Sequence, residues 1–337
     1  MPRPLKIVIP MAGFGTRLRP LTWSKPKPLI PLAGGVVLDH VMDMFRSAPN
    51  FDKAEFVFIL GPTMGDQIRD YMAMHYPGRH VNYAVQQEMI GQSDAFWQAR
   101  KFLHGPMLMA FADTLIEKDF TFVKDEKKDI VAVVKPVPDP RRFGVAEVDV
   151  SGAVTKLIEK PQDMSNNLAL VGCYYFKEAE DLIAAIEEQM NKNISLKGEF
   201  YLVDAVNILL NRGFQMRTER VDVWLDAGTI DALMETNRYM LEHGRDNIDK
   251  LTHLKDTAII PPVNIHPDAK VITSTLGPHV SIGAGAVVQD SKLNNAIIGQ
   301  GTHIKECKLN SSLVGDNVII KGQTGQFILG DNAQVTK

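Results

Sequence analysis

The sequence has little cysteine. Only Cys173 and Cys307 occur in 337 residues, far apart and in no metal-ligand spacing, so neither a disulfide framework nor a zinc site is expected. It also has no strong excess of charge. A net charge of −3 gives no long-range pull toward nucleic acid or an anionic membrane, and neither is expected as a partner. Any polyanion must be held by a local cluster of cations. Long hydrophobic runs are missing as well. The N-terminal apolar run from Ile7 to Ala12 is too short for a signal-peptide core or a membrane span, so a cytoplasmic location is expected. The nine histidines form no H-x-x-x-H pair and no triad-like group. What remains is 45% apolar and 23% charged, the balance of a globular protein. The length exceeds what one core usually holds, so two domains are expected.

The first 245 residues alternate apolar runs with helical patterns. Lys6–Pro10, Glu55–Leu60, Val81–Val85, Met107–Ala112 and Asp129–Val137 read as strands. Helical spacing relates Leu38, Val41, Met42 and Phe45, then Ile68, Tyr71, Met72 and His75, then Phe96, Ala99 and Leu103. This βαβα order predicts an α/β fold, a Rossmann-like and mainly parallel sheet covered by helices. Gly144 to Pro161 alternates like a hairpin with Ser151-Gly152 at its turn. A strand near Leu170–Phe176, helices near Ala179–Met190 and Glu199–Asn211, and a strand running up to Trp224 follow. Thr229 is placed to cap a last helix reaching roughly His243.

From about residue 260 the texture changes. Ile282-Gly283, Ile298-Gly299, Val314-Gly315 and Leu329-Gly330 recur 16, 16 and 15 residues apart. Aliphatics recur six apart within each repeat: Leu276, Ile282 and Val288, then Ile298 and Ile304, then Val314 and Ile320. A six-residue beat inside a coil-length repeat fits three short faces per turn of a parallel β-helix. The pattern resembles the hexapeptide left-handed β-helix, with its register broken between coils. An irregular β-sandwich is the alternative. The predicted division is therefore 1–245, a linker over 246–262 containing Pro261-Pro262, and a short β-helix over 263–337.

Strand 6–10 runs into Met11-Ala-Gly-Phe-Gly-Thr-Arg-Leu18. A strand, a glycine-rich turn and a helix start form an anion-binding arrangement, because glycines let the backbone approach and free N–H groups face the charge. The dinucleotide fingerprint needs a third glycine where Leu18 stands, and a Walker P-loop is absent. Arg17, Arg19, Lys25 and Lys27 follow instead, stiffened by Pro20, Pro26 and Pro28. Four cations beside such a turn suit a triphosphate; a solvated basic loop is the bland reading.

Gly13-Phe-Gly-Thr-Arg-Leu-Arg-Pro-Leu-Thr-Trp-Ser-Lys-Pro-Lys-Pro-Leu29 resembles the signature of the sugar-1-phosphate nucleotidyltransferases, with glucose-1-phosphate thymidylyl- and uridylyltransferases the nearest types. The resemblance reaches about residue 245, and it implies a nucleotidyltransferase domain with a β-helix appendage. In that family a sugar-1-phosphate oxygen attacks the α-phosphorus of a nucleoside triphosphate and pyrophosphate leaves. The implied substrates are thus an NTP, UTP or dTTP, and glucose 1-phosphate. The resemblance gives Arg17 the triphosphate and pyrophosphate, Lys27 the bridge between α-phosphate and sugar phosphate, and Ala12, Gly13, Gly15 and Thr16 the nucleotide-binding turn.

Other segments match the same family. Asp113 follows the strand Met107–Ala112, where relatives read G-D-N and this chain reads Ala-Asp-Thr. Asp226 lies in Trp224-Leu-Asp-Ala-Gly-Thr229, matching W-L-D-x-G-T. Mg²⁺ takes one or two carboxylates plus substrate phosphates, so Asp113 and Asp226 are the candidate metal pair. Gln86-Gln-Glu-Met-Ile-Gly91 matches the base-reading segment, with Gln86 the implied reader and Gly91 close to the base. Arg142-Phe-Gly-Val145 and Leu157-Ile-Glu-Lys-Pro161 resemble the sugar-binding hairpin. Gly144, Glu159, Lys160, Gly172 and Glu199 are its implied contacts. A non-catalytic regulatory paralogue remains an alternative, as does a hexapeptide acyltransferase using His266, His279 or His303. An exposed β-helix predicts a homo-oligomer.

Overall fold

The computed structural model describes residues 3–250 and 256–336, with only the backbone at 250. Residues 251–255 of the expected linker lie outside the described residues. Two compact units make up the chain, Met1–Gly13 with Val41–Trp224, and Phe14–His40 with Leu225–Lys337.

The first unit is built on a nine-stranded sheet. Its strands are β1 (Lys6–Met11), β2 (Glu55–Leu60), β3 (Val81–Val85), β4 (Met107–Ala110), β5 (Ile130–Pro136), β6 (Gly144–Val148), β7 (Val154–Glu159), β8 (Leu168–Phe176) and β9 (Met216–Arg220). The order β7-β6-β8-β4-β1-β2-β3 forms its main path, with β5 joining β8 and β9. Strands β4, β1, β2 and β3 are mutually parallel, as the βαβα pattern predicts. Strand β8 runs antiparallel to β4 and β5. It follows a hairpin, and a hairpin return reverses chain direction without a crossover helix.

Continuous burial of β1 and β2 fits a sheet covered on both faces. Helix α1 (Gly65–His75) buries Ile68 and Met72. Helices α2 (Gln92–Ala99), α3 (Ala179–Asn191) and α4 (Leu202–Asn211) share one core with Val8, Val57, Ile59, Met107 and Met109. Leu182, Ala185, Ile186 and Gln189 lie on one stripe of α3, and that stripe is buried.

Strand order sets the place for a ligand. From β1 the chain moves one way to β2 and β3, then β4 inserts on the other side of β1. The gap between the C-terminal ends of β1 and β4 is a topological switch point, where open α/β sheets take their ligands. Ala12-Gly13 leaves β1 there, and Asp113 follows β4.

In the second unit three faces of parallel strands repeat. One face stacks Lys270–Ile272, Val287–Gln289, His303–Lys305, Ile319–Lys321 and Gln334–Thr336. The other two share the long strands Lys292–Ile298 and Lys308–Val314, which bend at Asn295 and Ser311, both with positive φ. The predicted aliphatic beat is the core. Val271, Val288, Ile304 and Ile320 stack in register on the first face. Leu276, Leu293 and Leu309 stack on the second, and Ile282, Ile298 and Val314 on the third. The β-helix is therefore present, and the β-sandwich alternative is not. The register breaks at corners: Thr275 pairs with Lys292 but Lys292 pairs with Lys308 and Leu313 with Ile328, so coils shorten along the stack.

Helix α5 (Ile230–Met240) belongs to this unit, capped by Thr229, whose hydroxyl accepts from Ala232 N–H at 3.3 Å. Asn237 on α5 is fully buried, and its carbonyl accepts from Ala33 N–H at 3.0 Å and Ser281 hydroxyl at 2.7 Å. One side chain thus joins the N-terminal segment, the helix and the β-helix.

Candidate active site

The loop after β1 forms no long helix. It makes short 3₁₀ turns at Thr16–Leu18, Leu21–Trp23 and Lys27–Leu29, so the expected helix N-terminus is absent and any anion must meet loop amides and cations. Buried Leu18 and Leu21 anchor the loop. Gly15 has φ +60, and a Cβ there would meet Thr22 Cγ2 at 2.9 Å. The Thr22 hydroxyl donates to Gly15 O at 2.8 Å, which fixes the turn. Gly13, Thr16, Arg17 and Arg19 are exposed, and Lys27 is half-buried.

Lys25 departs from the expected four-cation set. It is only 6% exposed and forms ion pairs with Asp316 and, at 3.1 Å, Asp331. The triphosphate-facing candidates therefore narrow to Arg17, Arg19 and Lys27. No local pattern signals this pairing, because the partners lie some 300 residues away and repeats carry aspartate for many reasons.

In the first unit, Glu159, Lys160 and Glu199 come together with two residues that sequence reasoning missed, Tyr201 and Asp204. Lys160 Nζ lies 3.1 Å from Tyr201 Oη and 3.8 Å from Glu159 Oε1. Gly144 pairs directly with Glu159 across the β6–β7 hairpin. A Cβ at 144 would meet Leu170 Cδ1 at 2.8 Å and Glu159 Oε2 at 3.2 Å. Burial raises the Glu159 pKa, Lys160 opposes this, and Asp204 and Glu199 add to it. Tyr201 hydrogen bonding raises the Lys160 pKa, so Lys160 stays cationic. Trp224 meets Phe143 edge-on at 5.0 Å, and Phe143 O accepts from Lys160 N–H at 3.0 Å.

The Gln86–Gly91 segment is more enclosed than expected. Gln86 is 4% exposed, and its amide NH₂ donates to Gly91 O at 3.0 Å and Asp94 Oδ2 at 2.9 Å. The expected donor-and-acceptor pairing with a pyrimidine narrows to the acceptor, Oε1. Gly91 has φ +123, and a Cβ there would lie 2.4 Å from Phe200 N. Phe200 N–H donates to Ile90 O, and Phe200 O accepts from Ser93 N–H. The Phe200 backbone thus accounts for this glycine. It also joins the Gln86–Gly91 segment to Tyr201 of the carboxylate cluster.

Gly172 answers to Phe111. A Cβ at φ +80 would meet Phe111 Cδ2 at 2.4 Å, and Phe111 N–H donates to Gly172 O at 3.1 Å. This holds the segment between β4 and Asp113. Asp113 is half-buried and precedes the strand Thr114–Ile116, so it caps no helix. Ala12 is buried, and Gly61 packs on its carbonyl: a Cβ at 61 would lie 2.6 Å from Ala12 O. Asp226, in the second unit, is exposed; its Oδ1 accepts from Gly228 N–H at 2.7 Å and its backbone O from Thr236 hydroxyl at 2.8 Å. Among the described residues no three His, Cys, Asp or Glu side chains group as a metal site, and no helix is long and apolar enough to cross a membrane.

An α/β sheet with a topological switch point, carrying a cluster of carboxylates and a lysine in the same unit, sets the class. The chain belongs to the nucleotidyl transferase family, whose model matches residues 6–243. The resemblance read from Gly13–Leu29 is borne out. Glucose-1-phosphate thymidylyltransferase of Streptomyces griseus is 29% identical over 321 residues, covering 87% of each chain. A low-salt glycan biosynthesis nucleotidyltransferase of Haloferax volcanii is 32% identical over 247 residues, 71% of this chain and 66% of that one. Two solved structures share the fold. A Bacillus anthracis protein assigned as a glucose-1-phosphate thymidylyltransferase, in complex with sucrose, has TM-score 0.61 at 23% identity, covering 72% of this chain and 96% of that one. A UDP-glucose pyrophosphorylase complexed with UDP-glucose has TM-score 0.60 at 18% identity, covering 72% and 100%.

Proposed function

We propose that this chain transfers a nucleoside monophosphate from UTP or dTTP to glucose 1-phosphate, giving a nucleoside diphosphate sugar and pyrophosphate. The observation carrying this reading is the cluster of Glu159, Lys160, Glu199, Tyr201 and Asp204 in the same unit as the β1–β4 switch point. A cluster rich in carboxylates with one lysine suits a polyhydroxyl ligand bearing one phosphate.

In the transfer, a sugar-phosphate oxygen forms a bond to the α-phosphorus as the bond to the β-phosphate oxygen breaks. The nucleophile is already an anion, so no general base is required. Positioning and charge stabilisation carry the catalysis. Arg17 would hold the triphosphate and the departing pyrophosphate. Lys27 would bridge the α-phosphate and the sugar phosphate. Ala12, Gly13, Gly15 and Thr16 would supply the turn around the phosphates, and Gln86 Oε1 would accept from the base N3–H. Glu159 and Glu199 would accept from sugar hydroxyls and Lys160 would hold the sugar phosphate, with Gly144 and Gly172 keeping space.

Asp113 and Asp226 offer hard carboxylate oxygens of the kind Mg²⁺ takes with substrate phosphates, and one or two suffice. Bound there, Mg²⁺ would supply neutralising charge to the triphosphate. The division that goes with this reading is catalysis by residues 1–245, a linker at 246–262 and an assembling β-helix at 263–337, in a cytoplasmic homo-oligomer. A Mg²⁺-dependent pyrophosphate-release assay across nucleoside triphosphates and sugar 1-phosphates tests the reading. Release with UTP or dTTP and glucose 1-phosphate supports it; silence with every pair favours a regulatory paralogue.

A further inference from the structure

The β-helix repeats an aliphatic residue, a glycine and a third residue at one corner: Ala284, Gln300, Asp316 and Asp331 occupy the third place. Each corner glycine packs against the next coil. A Cβ at Gly283 would meet Gln300 N at 2.7 Å, and one at Gly315 would meet Asp331 Oδ1 at 2.4 Å. At Gly330 the nearest atom to such a Cβ belongs to the loop instead, Pro20 O at 2.9 Å. The signature loop thus packs on the Gly330 corner.

Polar contacts hold it there. Lys25 pairs with Asp316 and Asp331, and Ser24 hydroxyl donates to Asp331 Oδ2 at 2.6 Å. The carboxylates are themselves fixed. Asp331 Oδ1 accepts from Asp316 N–H at 2.7 Å, and Asp316 Oδ1 accepts from Gln300 N–H at 3.0 Å. Aspartate therefore appears at the two coils nearest the loop, whereas Ala284 and Gln300 hold the same place further back. Pro26 alone separates Lys25 from Lys27.

We propose that Asp316 and Asp331 are positioning residues for the nucleotide loop, acting through Lys25 and Ser24 to fix Lys27 and the Thr16–Leu18 turn. The β-helix then serves catalysis within its own chain besides any role in assembly. This rests on the function proposed above for Arg17 and Lys27. Lys25 is a buried strut of the loop and not a phosphate ligand.

The test uses the full chain and the variants D316N/D331N, K25M, K25M/D316N/D331N and K25R, with D290N as a β-helix control. Steady-state kinetics are read together with hydrogen exchange over residues 14–30 and the melting temperature. For D316N/D331N the expected result is a fall in kcat of roughly 10- to 100-fold, the effect of displacing a positioned group, with faster loop exchange. The triple variant should be no worse than the poorer of its parents, because all remove one interaction. K25R should recover most of the activity lost in K25M, and D290N should match wild type. Unchanged loop exchange in D316N/D331N, or additive losses in the triple variant, overturns the proposal. A wild-type chain inactive with every substrate pair would refute the functional reading instead, and the exchange data would still decide whether the loop is held.

Discussion

Gly144 and Glu159 face each other across the β6–β7 hairpin, and the missing side chain of one makes room for the carboxylate of the other. A Cβ at 144 would crowd Leu170 Cδ1 at 2.8 Å and Glu159 Oε2 at 3.2 Å. Gly144→Val should therefore push Glu159 out of place. The sugar-phosphate KM is expected to rise about tenfold or more, by the cost of one lost charge-assisted hydrogen bond. The NTP KM should stay near wild type, and initial-rate kinetics with each substrate varied separate the two.

Glu159 also carries a pH signature. Its pKa is raised above its ordinary 4.5, chiefly by burial. Between the ordinary and the raised value only the folded protein holds the proton. Folding stability should thus fall as pH rises through that window, and Glu159→Gln should remove the slope. Sugar binding has the opposite dependence, because the ionised form accepts the stronger hydrogen bonds. The wild-type sugar-phosphate KM should rise as pH drops through the same window. Melting temperatures and KM measured across mildly acidic to neutral pH check both signs.

Gly91 tests the enclosure of the Gln86–Gly91 segment. Its φ of +123 and a Cβ position 2.4 Å from Phe200 N leave no space for alanine. Gly91→Ala should destabilise the protein by roughly 2–4 kcal/mol, combining backbone strain with overpacking. Denaturant unfolding reads the loss. A variant of wild-type stability would mean that the Phe200 segment moves freely.

For the metal, Asp113→Asn and Asp226→Asn should each lower Mg²⁺-dependent turnover by about 100-fold or more, as loss of transition-state charge stabilisation does. Melting temperatures should change little for Asp226, which is exposed. Activity retained by either variant removes that residue from the pair.

Much of this molecule was legible in its sequence because local patterns encode it. The β-strands around Ile7, Phe56 and Met107 are short apolar runs, and the β-helix core follows a six-residue beat. Thr229 is readable as a cap because its hydroxyl bonds to an amide three residues on, within its own helix. Non-local facts were not legible. The pairing of Lys25 with Asp316 joins residues at opposite ends of the chain, and a cation in a basic loop looks the same whether it meets phosphate or carboxylate. Tyr201 and Asp204 join the Glu159 cluster only once α4 packs beside the hairpin. Gly91 and Gly172 stand out in their motifs, but the groups that demand them, Phe200 and Phe111, are set by tertiary packing.

The most direct test of the account is the reverse reaction. Purified chain, Mg²⁺, radiolabelled pyrophosphate and UDP-glucose or dTDP-glucose should yield labelled UTP or dTTP with glucose 1-phosphate, and Arg17→Ala should lose nearly all of it. No labelled triphosphate from any nucleoside diphosphate sugar, under conditions where the protein is folded, would contradict nucleotidyl transfer by this chain.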